Sequence, residues 1–315
     1  MAHSSGYPRA KVAIVGTGFV GSTIAYALMM GGSASEIALI DAKKDKADGE
    51  ALDLMHCMQF TSSVHITSGD DFALVKDAAV VIITAGIAQK AGQARTELLR
   101  TNIEVFKNII PKIVTQNKDC ILLVVSNPLD VLTYATWKLS NFPSCKVFGT
   151  GTVLDSARLR YLMGEHFKVS PKDITAHVLG EHGDSEFVCW SNANIAGVPV
   201  NVLPGYDIKA MDTIFQKAKN AAYEIISKKG ATYYAIGLVT AKIVRAILLD
   251  QSRVFSVSTF IDEAFGVKDI CLSLPTVVRK SGTCERLPIQ LSNQEIELFI
   301  KSAQKVKNDI DLVLI

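Results

Sequence analysis

Three polar clusters in this 315-residue chain have the composition to carry chemistry. The first, Gly180-Glu181-His182-Gly183-Asp184-Ser185, follows the apolar pair Val178-Leu179, which sets His182 at the mouth of a strand. An imidazole there either completes a structural network or exchanges a proton near neutral pH. The second cluster, Asp155-Ser156-Ala157-Arg158, opens a helical stretch and favours proton exchange. An aspartate bonded to one ring nitrogen fixes the tautomer and stabilises imidazolium, leaving the other nitrogen for a substrate. An arginine one helical turn further along presents a planar fork that matches a carboxylate. The third cluster, residues 88–95, runs AQKAGQAR and has the small, polar make-up of a mobile loop. A plain surface loop reads the same way, but at the end of a parallel strand it would overhang a ligand crevice. Asn127, before Pro128, can hydrogen-bond a ligand's carbonyl or amide, or simply occupy a turn.

A fourth motif points to a dinucleotide. Gly16-Thr17-Gly18-Phe19-Val20-Gly21 follows a β-branched run and opens a helix. In that context the first glycine makes the turn, the second lets the backbone approach a pyrophosphate, and the third lets helix pack on strand. The hexapeptide alone also fits an ordinary glycine turn. Asp41, twenty residues after Gly21 at the end of the next strand, can accept both ribose hydroxyls of adenosine and would repel a 2′-phosphate. NAD is therefore expected over NADP, with Lys43 and Lys44 read as a solvated turn.

The elements that must position these groups alternate short apolar runs with helical stretches. Strands are expected at 11–15, 36–41, 64–68, 79–85, 121–125 and 146–149, and helices at 18–30 and 100–117. Six such strands predict a doubly wound parallel sheet in residues 10–149. Residues 150–315 predict an α+β half: a helix at 156–167, strands at 175–179 and 186–191, and a long helix at 207–228. An antiparallel set at 254–260 and 269–279 follows, then a last helix whose start, Ser292-Asn293-Gln294-Glu295, fits a capping box. With no flexible tether between them, the halves are expected to share a broad interface.

Composition narrows the partners. Lys and Arg number 33 against 31 Asp and Glu, which gives no broad basic field for nucleic acid, so a small molecule is expected. The six cysteines are scattered with neither CxxC pairs nor histidines at ligand spacing, so no metal is expected and zinc chemistry is disfavoured. The longest apolar run, 78–88, is interrupted by Thr84 and Gly86 and falls short of the ~20 residues of a membrane span. Residues 1–9 hold Gly and Pro in place of a continuous apolar leader, and a cytoplasmic protein is expected.

GTGFVG, Asp41, TAGIAQKAGQAR, SNPLDVLTY, GTGTVLDSARLR, LGEHGDSE and KGATYYAIG occur in one order along nearly the whole chain. With them the sequence resembles the lactate and malate dehydrogenase family. The resemblance implies a Rossmann-type α/β half and an α+β substrate half, reversible hydride transfer between NAD and an L-2-hydroxy acid, and a homo-oligomer, tetramer or dimer. It implies that His182 exchanges the proton, Asp155 orients it, Arg158 clamps the substrate carboxylate and Arg95 polarises the reacting carbonyl. Thr84, Ala85, Gly86, Ser126 and Asn127 would line the nicotinamide side, with Thr232 and Ile236 closing the pocket. The loop residue matching Gln89 contacts the far end of the substrate, and malate dehydrogenases carry arginine there. A neutral amide suits pyruvate, whereas a second buried carboxylate without a cation would cost several kcal/mol. The lactate branch is therefore expected; a malate dehydrogenase with a variant loop and a silent NAD-binding protein are the alternatives. Bacterial-type relatives often bind a sugar bisphosphate through an arginine and a histidine; Arg160 matches the first but Thr175 stands at the second. Activation by fructose 1,6-bisphosphate is expected to be weak or absent.

Overall fold

The computed structural model describes residues 10–87 and 95–313, with Arg95 described by its backbone only. The first half contains β1 (Lys11–Val15), α1 (Phe19–Met30), β2 (Glu36–Ile40), α2 (Lys44–His56), β3 (His65–Gly69) and β4 (Ala78–Ile83). It continues with α3 (Arg95–Gln116), β5 (Ile121–Val124), α4 (Leu129–Ser140) and β6 (Val147–Gly149). These six strands pair in parallel in the order β3-β2-β1-β4-β5-β6, the doubly wound arrangement expected from the alternating pattern.

Period-two alternation explains why these strands read as unbroken apolar runs. Val12 and Ile14 of β1, with Ile37 and Leu39 of β2, enter one core beneath Ile24, Ala25 and Leu28 of α1. Ala13, Val15, Ala38 and Ile40 enter the opposite core with Leu99, Ile103, Phe106 and Ile110 of α3. Both faces are covered, so neither needs polar residues. Leu99 extends the α3 stripe upstream, and the helix starts at Arg95 rather than at residue 100.

The second half begins with α5 (Val153–Phe167), followed by the short strands β7 (Ile174–Thr175), β8 (Val178–Leu179), β9 (Phe187–Val188), β10 (Asn194–Ile195) and β11 (Val198–Pro199). The longer strands expected at 175–179 and 186–191 are reduced to two-residue pieces. Glu181, His182, Ser185 and Ser191 between and beyond them bond through side chains rather than along a ladder. Then come α6 (Ile208–Lys229), capped by Asp207, α7 (Tyr234–Leu248), β12 (Arg253–Ile261), β13 (Ile270–Arg279), β14 (Gly282–Arg286) and α8 (Asn293–Asp311). The capping box at Ser292 and Glu295 is formed. α7 was not anticipated as a separate helix.

Two features tie the halves together. The antiparallel set β12-β13-β14 continues the parallel sheet, because Ser258 of β12 pairs with Gly149 of β6, giving one nine-stranded sheet. Helices α7 and α8 also return to that sheet: Ala241, Val244 and Ile247 join the α1 core, and Phe299, Ala303 and Val306 join the α3 core. α5 and α6 enclose a third core around Leu159, Met163, Met211 and Ile214.

Candidate active site

The carboxyl ends of β1, β2, β4 and β5 carry the glycine loop and its neighbours. Gly16 has φ +103°, and a Cβ there would lie 2.7 Å from the Ala85 nitrogen, so only glycine makes this turn beside β4. At Gly21 a Cβ would stand 2.0 Å from the Gly16 carbonyl oxygen, which is how the third glycine lets α1 reach β1. At Gly18, the N-cap of α1, a Cβ would meet nothing among the described residues nearer than the Lys46 Nζ at 3.8 Å. No acidic residue occupies the first turn of α1, so its N–H groups remain suited to an anion. Phe19 is exposed, while Val20 packs against the α1 core.

Asp41 sits directly beside this loop. Its Oδ2 accepts from the Thr17 N–H at 2.8 Å and the Thr17 hydroxyl at 3.0 Å, and its Oδ1 accepts from the Lys43 N–H at 3.0 Å. Partial burial works to raise its pKa, but these donors and Lys46 outweigh it and hold the carboxyl below its ordinary value. An ionised carboxylate at the end of β2 and free N–H groups at α1 fit the adenosine ribose and the pyrophosphate of NAD. The Thr84 hydroxyl donates to the Gly16 carbonyl at 2.6 Å, and the Ser126 hydroxyl donates to the Ala85 carbonyl at 2.7 Å. Asn102, buried on α3, accepts from the Ile87 N–H at 2.8 Å, beside Gly86, and donates to the Asn127 carbonyl at 2.8 Å. The Asn127 residue itself is exposed.

The proton-transfer groups converge from α4, α5 and the turn between β8 and β9. His182 Nδ1 lies 2.7 Å from Asp155 Oδ2, and Arg158 Nη1 donates to Asp155 Oδ1 at 3.0 Å. The His182 side chain keeps 27% of its surface exposed, against 5% for Asp155 and 13% for Arg158. The imidazole thus reaches solvent while its partner is sealed in. Burial pulls the His182 pKa down, but the charge and hydrogen bond of Asp155, with Glu186 and Asp130 behind them, push it up to about 9. Burial works the other way on Asp155, yet His182 and Arg158 hold it below its ordinary value.

Sequence reasoning missed several supporting groups. Asp130, in the first turn of α4, accepts from the His182 backbone N–H at 2.7 Å and from the Ser258 hydroxyl at 2.6 Å. Burial pushes its carboxyl up to about 6. Glu181 accepts from Lys305 of α8 at 2.6 Å and from the Ser185 N–H at 3.1 Å, while Ser302 accepts from the Glu181 N–H at 2.7 Å. Glu186, 6% exposed, brings a further carboxyl to His182 and Asp155, and ligand-type atoms of the three lie within 4.8 Å of one another. The available signal was a polar residue amid apolar neighbours: Asn102 beside Ile103, Asp130 between Leu129 and Val131, and Glu186 before Phe187.

Other expected residues stand apart or lie outside the description. Thr232 falls between α6 and α7, and Ile236 is half-buried in the first turn of α7. The neighbouring Tyr233 ring stacks on Phe19 with centroids 5.3 Å apart, which carries this connection to the start of α1. Gln89 lies outside the described residues, as does the side chain of Arg95, whose backbone begins α3. Arg160 turns inward: its Nε donates to the Ala176 carbonyl at 2.8 Å, and its Nη2 lies 3.5 Å from His177 Nδ1. Thr175 is exposed.

Comparisons with known protein families cover both halves of the chain. The NAD binding domain of lactate/malate dehydrogenases matches residues 10–149, and the alpha/beta C-terminal domain of the same enzymes matches residues 152–314. An L-lactate dehydrogenase of Acetivibrio thermocellus is 49% identical over 308 residues, covering 95% of this chain and 96% of that protein. An L-lactate dehydrogenase of Clostridium botulinum strain Loch Maree is 44% identical, covering 96% of each. Among solved structures, the minor L-lactate dehydrogenase of Enterococcus mundtii in a ligand-bound form superposes with a TM-score of 0.94 at 40% identity, covering 97% of this chain and 98% of that one. A lactate dehydrogenase from a Medee basin deep-sea metagenome library gives 0.93 at 39% identity, covering 96% and 98%.

Proposed function

The chain belongs to the lactate/malate dehydrogenase family, and from that premise we propose that it is an NAD-dependent enzyme interconverting pyruvate and L-lactate. The observation that carries this reading is the His182–Asp155–Arg158 cluster, with its 2.7 Å and 3.0 Å contacts. NAD, when bound along the glycine loop and Asp41, supplies the hydride chemistry.

The protein supplies position, charge and a proton. Arg158 binds the substrate carboxylate through the face of its guanidinium fork not engaged by Asp155. His182, as imidazolium, donates a hydrogen bond to the 2-oxo group, gives up its proton as the carbonyl becomes a hydroxyl, and recovers it in the reverse direction. Asp155 stabilises the ring while it is charged, and Arg95 polarises the carbonyl bond. Asn127, Ser126, Thr84, Ala85 and Gly86 border the nicotinamide side, and Thr232 and Ile236 border the pocket from the second half. Gln89, a neutral amide, selects the methyl end of pyruvate over the second carboxylate of oxaloacetate.

The expected setting is a cytoplasmic homotetramer that regenerates NAD from the NADH of glycolysis during fermentation, with an NAD-binding unit at 10–149 and a substrate unit at 150–315. Among the described residues no helix is long and apolar enough to cross a membrane. Exposed apolar side chains on α1 and α2, including Tyr26, Met30, Leu52 and Met55, offer a surface for association. The test is NADH oxidation against a panel of 2-oxo acids, repeated with NADPH. A kcat/KM for oxaloacetate equal to or above that for pyruvate moves the chain to the malate branch, and NADH binding without turnover of any acid makes it a silent binding protein.

A further inference from the structure

The catalytic pair has a third acid beside it whose charge requires an explanation. Glu186 immediately precedes β9, is 6% exposed, and stands within the 4.8 Å cluster that it forms with His182 and Asp155. Burying a carboxylate is costly unless a hydrogen bond or a cation offsets it. Charged groups face this pocket from four helices: Asp130 from α4, Asp155 and Arg158 from α5, Lys219 from α6, and Lys305 from α8 through Glu181. Among the described residues, Arg158, Lys219 and Lys305 each also hold another partner. Arg158 donates to Asp155 at 3.0 Å, Lys219 to the Asp184 carbonyl at 2.5 Å and Lys305 to Glu181 at 2.6 Å. Among the described cations His182 acts most strongly on Glu186, ahead of Lys219 and Arg158.

Resting on the function proposed above, we infer that Glu186 is a positioning residue for proton transfer, holding His182 as imidazolium and so setting the pH at which 2-oxo-acid reduction gives way to 2-hydroxy-acid oxidation. Reduction consumes the imidazolium proton: the carbonyl carbon gains a hydride, its oxygen gains the proton, and the ring is left neutral. Oxidation starts from the neutral ring and returns the proton to it. A carboxylate this close stabilises only the charged ring, so it extends reduction to higher pH and delays oxidation. Burial and the charge of Asp155 push the Glu186 carboxyl up to about 8, and the charge of His182 works against them. The two groups are linked: the charge on His182 favours an ionised Glu186, and an ionised Glu186 in turn favours the imidazolium.

The test uses Glu186→Gln, which keeps the shape and removes the charge, and Glu186→Met, which fills the site without polar atoms should the amide disturb folding. Two readouts are taken across pH. One is the rate at which diethyl pyrocarbonate modifies His182, mapped by mass spectrometry, which reports the neutral ring without needing turnover. The other is kcat/KM for pyruvate. Both variants are expected to lower the His182 midpoint and the alkaline limb of pyruvate reduction together by about one pH unit, with NADH affinity unchanged. Midpoints that stay in place, whatever happens to the overall rate, overturn the inference. Failure of the wild type to reduce any 2-oxo acid would overturn the proposed function instead, and the modification profile would still decide whether Glu186 governs the charge of His182.

Discussion

Replacing Asp155 by Asn removes the charge that faces both His182 and Arg158 while keeping an oxygen that can accept from the ring. The structure sets the size of the effect. With Asp155 present His182 titrates at about 9, so at pH 7.5 roughly 97% of the rings are imidazolium. Without that charge the burial of the ring is set against the remaining charges of Glu186 and Asp130, and the midpoint is expected near the ordinary value of about 6.5, where only about 9% remain protonated at pH 7.5. Pyruvate reduction should therefore fall about tenfold at pH 7.5, equivalent to ~1.4 kcal/mol of barrier, from protonation alone. At pH 5.5 both proteins hold His182 largely charged, and the deficit should shrink to within about twofold. The assay is kcat/KM for pyruvate at several pH values, with NADH saturating. A deficit of equal size at pH 5.5 and 7.5 would refute the electrostatic account and leave Asp155 with a purely geometric role.

Three further outcomes are expected. Gly21→Ala places a methyl 2.0 Å from the Gly16 carbonyl, so α1 must move off its turn, and NADH affinity should fall at least about tenfold in a fluorescence titration; an unchanged Kd counts against the assigned cofactor loop. Gln89→Arg supplies a cation for a second carboxylate and should raise the oxaloacetate to pyruvate ratio of kcat/KM on the order of a hundredfold; a ratio that stays at the wild-type value sinks the charge argument. Fructose 1,6-bisphosphate should leave the pyruvate KM in place, because the Arg160 Nε is committed to Ala176 and Thr175 carries no charge; a several-fold drop in KM on adding it contradicts this.

The parts of the site legible in the sequence are those written in short contiguous stretches. GTGFVG and the strand before it specify a turn by local sterics, and Asp155 and Arg158 share a helix face by spacing alone. The sheet order was legible in its parallel half because apolar runs alternated with helical ones. Its continuation into β12 was not, since the pairing of Ser258 with Gly149 links residues more than a hundred positions apart. Asp130 escaped notice for the same reason: it bonds His182 and Ser258, 52 and 128 positions away. Glu186 read as one polar residue of an expected strand at 186–191, and only the fold turns it toward His182. The helix α3 begins upstream of the expected residue 100 because its apolar stripe extends to Leu98 and Leu99, both buried.

The seam between β6 and β12 also bears on how the polypeptide could be divided. A gene cut between residues 149 and 152 would leave β6 with a bare edge on one fragment and β12 with a bare edge on the other. Such edges invite pairing with any available strand. The amino-terminal piece would also lose α7 and α8, which cover opposite sides of its sheet. Each fragment made alone should precipitate, whereas the two made in one cell should rescue each other's solubility, the behaviour wanted of a split reporter.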